Sequence, residues 1–339
     1  MSASIRCRGL SRRYDGRPAV EGAALEVPAG SFHALLGPSG CGKTTFLRLL
    51  AGFEVPDEGS VELGGDVVAG PGLWVPPEAR RVGMVFQDPA LFPHMSVRRN
   101  VAFGIRGGGD AVRKRVLEVL DLVGLLPLVD RLPAHLSGGE RQRAALARAL
   151  APGPEVMLLD EPFSSLDARL REGMREEVRR ILRTVGTTVL LVTHDRDEAM
   201  SLADRVSVMF EGRIHQTAVP DHVYRRPVDM EVAAFLGRAT FLTGAADGAS
   251  AATPFGVLPL VQPIQGPVTI MVRPEQVHLG RGTLRLAVVK RQYFGHDVLV
   301  ALEGDGGLRL LARTGPETPA EPGTWVTAAV AGPVLAWPL

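Results

Sequence analysis

The chain has 339 residues, 45% of them hydrophobic and 22% charged, with 38 Lys and Arg against 37 Asp and Glu for a net charge of +1. That length and mixture predict a globular protein of two or three domains with an ample core, and a balanced charge without a dense basic block argues against a nucleic-acid-binding surface. Two cysteines, Cys7 and Cys41, fit a reducing compartment rather than a disulfide scaffold, and no stretch reaches the ~18 apolar residues of a membrane span.

The opening Met1-Ser-Ala-Ser-Ile-Arg-Cys-Arg has no apolar run and is not expected to be a secretory signal. From about residue 5 to 236, short apolar runs alternate with segments of helical period. Phe32–Leu36 is the first such run, and it ends at a glycine. Gly37-Pro38-Ser39-Gly40-Cys41-Gly42-Lys43-Thr44 follows it, and a helical segment opening on Thr45 comes next. A strand, then G-x-x-x-x-G-K-[ST], then a helix, is the context in which this pattern binds nucleotide. The glycines let backbone N–H groups turn inward to phosphate oxygens, and the helix adds its positive end. Lys43 reaches the β- and γ-phosphates in this reading, and the Thr44 hydroxyl holds Mg2+.

Helical period returns at 113–124. Leu136-Ser137-Gly138-Gly139-Glu140 then introduces a helical run at 144–150, giving a second phosphate-friendly helix start. A second buried strand, 156–159, delivers Asp160 and Glu161 at its carboxyl end, where ligands sit in open α/β sheets. Asp160 is placed for the Mg2+ shell, and Glu161 for orienting or deprotonating an attacking water. A helix over 168–183 leads to the strand Thr188–Thr193. Strands alternating with helices predict an α/β domain with a largely parallel sheet.

The texture changes after Gly237. Residues 244–254 are rich in Ala, Gly and Ser and read as a loop or linker. Beyond them come short β-prone runs at 268–272, 284–289, 298–302, 308–311 and Trp325–Val330, which predict a small all-β barrel or sandwich. The expected domains are therefore 1–237 and 238–339, with no repeat between them.

Taken alone, Tyr14 reads as a packed aromatic, Gln87 as a turn residue and His194 as a structural histidine. Their order along the chain changes this, because the sequence resembles the ATPase subunits of ABC transporters. Tyr14 in Arg13-Tyr14-Asp15 matches the aromatic that stacks on adenine. Gln87 in Val85-Phe86-Gln87-Asp88-Pro89 is similar to the glutamine loop, which senses Mg2+ and the γ-phosphate. Ser137, Gly138, Gly139 and Glu140 resemble the signature loop that contacts ATP held by the other subunit, Glu140 standing where glutamine is commoner. Ser165-Leu166-Asp167 resembles the loop that couples the two sites, and His194 the switch histidine.

The resemblance implies a P-loop NTPase domain with a helical subdomain at about 88–136, and a head-to-tail homodimer enclosing two ATP molecules. It also implies permease subunits in the membrane, an extracytoplasmic binding protein, and a place on the cytoplasmic face of the inner membrane. The tail, with Met271-Val-Arg-Pro-Glu275 and Tyr293-Phe-Gly-His-Asp297, looks like the OB-like TOBE domain of one importer branch, and is expected to stabilise a dimer. Within that branch the text from Val75 to Gln87 and Leu91-Phe-Pro-His94 is closest to ferric-iron importers, with polyamine, sulfate, molybdate and sugar importers as alternatives. A repair or translation ATPase of the same superfamily is the reading from another class. It is disfavoured by a single cassette without a heptad run.

Overall fold

A computed structural model describes residues 2–339; Met1 lies outside them. The chain divides into two compact units that meet between Arg225 and Arg226.

The first unit opens with β1 (Ile5–Tyr14), β2 (Arg17–Val27) and β3 (Phe32–Leu36), followed by α1 (Lys43–Ala51). Next come β4 (Glu58–Leu63), β5 (Asp66–Gly70), β6 (Leu73–Trp74) and β7 (Val82–Val85). The helical segment holds α2 (Val97–Ala102), α3 (Gly109–Leu122) and α4 (Gly138–Leu150). After it run β8 (Val156–Asp160), α5 (Ala168–Val185), β9 (Thr188–Thr193), α6 (Arg196–Leu202), β10 (Arg205–Phe210), β11 (Arg213–Ala218) and α7 (Pro220–Arg225).

Two sheets result. Strands β2-β1-β4-β5-β6 form an antiparallel layer, and β11-β10-β3-β9-β8-β7 form a sheet that is parallel except at the β10–β11 edge. Strands β3, β8 and β9 are buried at every position, as continuous apolar runs must be when both faces are covered. Helix α1 fills the space beside them with Phe46, Leu47, Leu49 and Leu50, none of which has exposed surface. Arg80 closes the far end of α1. Its guanidinium, almost wholly buried, donates to the Leu49 and Leu50 carbonyls at 2.8 and 2.9 Å and to the Val75 carbonyl at 2.7 Å. Burial brings its pKa down to about 10, so the cation persists at neutral pH and caps the negative end of the helix.

His33 on β3 gives this core a pH dependence. Its Nε2 lies 2.8 Å from Ser207 Oγ, while Nδ1 has no hydrogen-bond partner. Burial, with the Arg205 charge second, lowers its pKa to about 4. The unfolded chain therefore binds a proton near pH 6.5 that the folded chain refuses until about 4. The stability tied to neutral His33 is full above 6.5 and is lost as pH falls toward 4, on the order of 3 kcal/mol. Urea unfolding at pH 7.5 and 4.5 should show this loss in the wild type and a smaller one in His33→Gln; equal losses would disprove it.

The second unit contains α8 (Met230–Leu236), β12 (Thr240–Thr253), β13 (Gly256–Val272), β14 (Val277–Tyr293), β15 (Val298–Glu303), β16 (Arg309–Thr314), β17 (Trp325–Val330) and β18 (Leu335–Pro338). Its sheets run β12-β13-β18 and β16-β15-β14-β17, and they share one apolar core built on Leu242, Ile270, Leu286, Val300 and Leu310. That agrees with an all-β tail and corrects one detail. Residues 244–253 belong to β12, not to a linker: β12 pairs with β13 from Thr240↔Val272 to Thr253↔Gly256, with an irregularity after Gly248. Small residues suit its inner face, since a Cβ at Gly244 would meet the Ala252 carbonyl at 2.8 Å and Ile270 Cδ1 at 2.7 Å. Arg273, itself buried, donates to the Ala233 and Arg238 carbonyls at 3.0 and 3.3 Å and ties α8 to the second unit.

Candidate nucleotide site

Parallel pairing brings four strand ends to one rim. Leu36 lies opposite Thr193, Asp160 opposite Val192, and Val85 opposite Leu159. The residues just past those ends are Gly37, Glu161, His194 and Gln87, which sequence alone spreads over most of the first unit. This is the edge of a parallel sheet where ligands bind.

The loop from Gly37 to Gly42 depends on its glycines. Gly42, the N-cap of α1, has φ 105°, and a Cβ there would overlap the carbonyl oxygen of Ala19. A Cβ at Gly37 would overlap the Met209 carbonyl oxygen and approach Cys41 Sγ to 2.7 Å. No side chain caps α1, so the first amides, from Lys43 through Thr45, have no intrahelical acceptor and remain available to an anion. Cys41 is buried in the loop floor, where burial raises its thiol pKa. Pro38 is partly buried, and Ser39 and Gly40 are exposed. Lys43 Nζ donates to the carbonyls of Gly37 and Pro38, each at 2.8 Å.

Thr44 Oγ1 donates to Asp160 Oδ1 at 3.2 Å. Asp160 is 7% exposed, and burial followed by the Glu161 charge raises its carboxyl pKa despite the Thr44 hydrogen bond. A hydroxyl and a carboxylate oxygen this close form a hard-oxygen donor pair of the kind that fits Mg2+.

Glu161 has φ 44°, a left-handed conformation for a non-glycine residue. Such a residue costs on the order of 1–3 kcal/mol unless its surroundings hold it. Here its N–H donates to the Val192 carbonyl at 2.9 Å, and its own carbonyl accepts from Ser164 N–H and Oγ at 3.2 and 2.9 Å. The twist aims the carboxylate at His194, whose Nδ1 lies 3.0 Å from Glu161 Oε2. An ionised carboxylate in that place selects the tautomer with the proton on Nδ1.

The turn bearing His194 is braced by residues that the sequence did not single out. Asp195 caps α6, Glu198 is buried and accepts from Thr193 Oγ1 at 2.7 Å, and Arg175 reaches Asp195 and Glu198 at 2.7 and 3.0 Å.

Gln87 is exposed and lines a 510 Å³ cleft together with Pro89, Gly138, Arg141, Ser164 and Ser165. The glutamine segment and the start of α4 thus share one hollow. Arg148 on α4 links them from behind, donating to the Pro89 and Ala90 carbonyls at 3.0 and 2.7 Å while lying over the Phe92 ring. Ser137 caps α4: its Oγ accepts from Glu140 N–H at 3.3 Å, and Glu140 Oε2 accepts from Ser137 N–H at 2.7 Å. Glu140 therefore completes a capping box. The Ser137 amide, its main partner, holds the Glu140 carboxyl below the usual range. No hydrogen bond among the described residues joins Ser137 to the phosphate loop. Asp167 caps α5, accepting from Arg169 and Leu170 amides at 3.1 and 3.0 Å. Tyr14, 39% exposed, ends β1 one hairpin turn from the strand whose Ala19 carbonyl packs on Gly42, and Arg12 lies 5.1 Å over its ring.

Comparison with known proteins bears on this geometry. Residues 20–164 match the ABC transporter family model, and residues 270–332 the TOBE domain model. The chain is 43% identical to Fe(3+) ions import ATP-binding protein FbpC 1 of Rhodococcus jostii over 348 residues, covering 100% of both. It is 45% identical to spermidine/putrescine import ATP-binding protein PotA of Oleidesulfovibrio alaskensis, over 80% of this chain and 75% of that protein. Among solved structures, the dimeric post-hydrolysis state of the ATP-binding cassette MJ0796 bound to ADP and Pi matches with a TM-score of 0.54 at 30% identity, covering 64% of this chain and 98% of that one.

Proposed function

The chain belongs to the ABC transporter ATP-binding proteins, and from that premise we propose that it is the ATP-hydrolysing subunit of a membrane importer whose cargo is ferric iron. The observation that carries the ATPase reading is the shared rim, with the phosphate loop, the Thr44–Asp160 pair and the Glu161–His194 pair on adjoining strand ends. The cargo rests on likeness along the whole chain to a protein named for Fe(3+) import.

In this reading Tyr14 stacks on adenine, while the amides of Gly37 through Thr45 surround the phosphates. Lys43 exchanges its two loop carbonyls for phosphate oxygens. Thr44, Asp160 and Gln87 would hold Mg2+, which would supply neutralisation of phosphate charge. Glu161 takes the proton of a water that attacks the γ-phosphorus as the bond to the ADP oxygen breaks, releasing ADP and phosphate. His194 orients that carboxylate through Nδ1.

Two chains pack head-to-tail, so that Ser137, Gly138, Gly139 and Glu140 of one meet the ATP on Lys43 of the other. Asp167 couples the two sites. Residues 88–136 and Gln87 face permease subunits from the cytoplasmic side of the membrane, and a binding protein outside delivers the cargo. Among the described residues no helix is long and apolar enough to cross a membrane, so in this reading the pore belongs to those permease subunits.

The test is uptake. Cells carrying Lys43→Ala should lose labelled ferric iron uptake by tenfold or more, since a phosphoryl clamp of this kind contributes on the order of several kcal/mol, with labelled spermidine uptake unchanged. Loss of spermidine uptake alone would move the chain to polyamine import, the second reading, which its 45% identity to such a protein favours. Loss of neither would point to anions or sugars.

A further inference from the structure

Helix α5 carries Arg171, Arg175, Arg179 and Arg183 at four-residue spacing, on one face. The outer three run along the α6 side of the unit. Arg175 reaches Asp195 and Glu198 at 2.7 and 3.0 Å, Arg179 the Ser201 carbonyl at 3.0 Å, and Arg183 Asp204 at 2.7 Å. The first rung differs. Arg171 Nη2 donates to the Leu166 carbonyl at 2.8 Å, while its Nη1 lies 3.9 Å from Asp195 Oδ2. One guanidinium thus touches the Ser165–Asp167 loop and the residue after His194. The first contact is a hydrogen bond, and the second is a longer ion pair to the carboxylate oxygen that Arg175 also holds at 2.7 Å.

Both ends of this bridge lead to the site. Asp195 sits on the turn whose His194 meets Glu161 at 3.0 Å, and its N–H donates to Thr193 Oγ1 at 3.0 Å. Leu166, 5% exposed, packs toward Gly138 at the start of α4, where a Cβ would meet Leu166 Cδ2 at 3.5 Å. We infer that Arg171 is a positioning residue that locks the His194 turn to the Ser165–Asp167 loop, so that displacement of the loop loosens His194 against Glu161. The consequence for turnover rests on the ATPase reading; the mechanical link does not.

The full-length chain tests this by amide exchange and by ATPase kinetics, with Arg183→Ala as the control that removes a rung far from the site. In Arg171→Ala, exchange should speed up about tenfold both in 165–167 and in 193–198, whereas Arg183→Ala should speed it only around Asp204. Turnover in Arg171→Ala should fall about tenfold with KM for ATP within about twofold, and Arg183→Ala should keep wild-type kinetics. Arg171→Lys, with charge but no fork, should restore protection in one of the two segments only. Unchanged exchange in 193–198 in Arg171→Ala, or an equal loss there in Arg183→Ala, would overturn the link. If the wild-type chain lacks ATPase activity, the functional reading falls, and the exchange results still decide whether Arg171 joins the two loops.

Discussion

Glu161→Gln is expected to keep Mg-ATP binding while lowering turnover by about 10²–10⁴-fold, the usual contribution of a positioned base, and to hold the chain as an ATP-bound dimer. Glutamine conserves the shape that the site demands. The backbone at φ 44° is held by a hydrogen bond to the Val192 carbonyl and by others from Ser164, none of which the side chain enters, and a carboxamide oxygen can still accept from His194 Nδ1. What disappears is the negative charge and the ability to take a proton. The phosphate loop, Lys43 and the Thr44–Asp160 pair are untouched, so affinity should change little. Stopped hydrolysis with retained ATP leaves the closed dimer nowhere to go. Size-exclusion chromatography with ATP should therefore show a dimer in Glu161→Gln, and a single-turnover assay should show the slow chemical step. Ordinary turnover with no dimer would remove Glu161 from the role of base, and His194 would lose its reason to point at it.

The parts of this site that the sequence displayed are those whose chemistry forces an unusual local composition. A loop that must approach phosphate with its backbone needs glycine at Gly37 and Gly42, and a strand buried on both faces needs an unbroken apolar run such as β8, so both stand out in the text. The braces do not. Arg171, Arg175 and Arg179 at four-residue spacing look the same as the solvated face of any charged helix, and only the fold reveals that they face Asp195, Glu198 and the Ser201 carbonyl. Arg80 is similarly silent, because its acceptors are mostly main-chain carbonyls distant in sequence. Glu140 was legible as a departure from a family pattern, but its capping role follows from the geometry of α4. In the second unit, β12 was hidden because several of its positions take Ala and Gly, residues that local composition assigns to loops, although its partner β13 is the next strand of the same hairpin.

The two left-handed glycines of the phosphate loop should respond differently to the same substitution. Gly40 has φ 82°, and nothing lies within 4 Å of where its Cβ would stand. Against its own protein neighbours Gly40→Ala therefore bears only the conformational cost, about 1–2 kcal/mol, and it should lower Tm less than Gly42→Ala does. Gly42 has φ 105°, further from the region that alanine tolerates, and its Cβ would overlap the Ala19 carbonyl, a main-chain atom of β2 that no rotamer change can move. Relief must come from the loop or from the strand. If the loop yields, the helix start at Lys43 tilts, and the hydrogen bond from Gly212 N–H to the Cys41 carbonyl at 2.8 Å is put under strain. Lys43 and Thr44 follow directly in sequence, so the side chains proposed to hold the phosphates move with the backbone. Gly42→Ala should thus weaken ATP binding by about 100-fold or more, an energy of roughly 3 kcal/mol, and should lower Tm by several degrees. Titration with a fluorescent ATP analogue, alongside thermal melts of both variants, separates the two cases. Equal melting temperatures for Gly40→Ala and Gly42→Ala would mean that β2 gives way, and that the loop's geometry does not depend on its contact with Ala19.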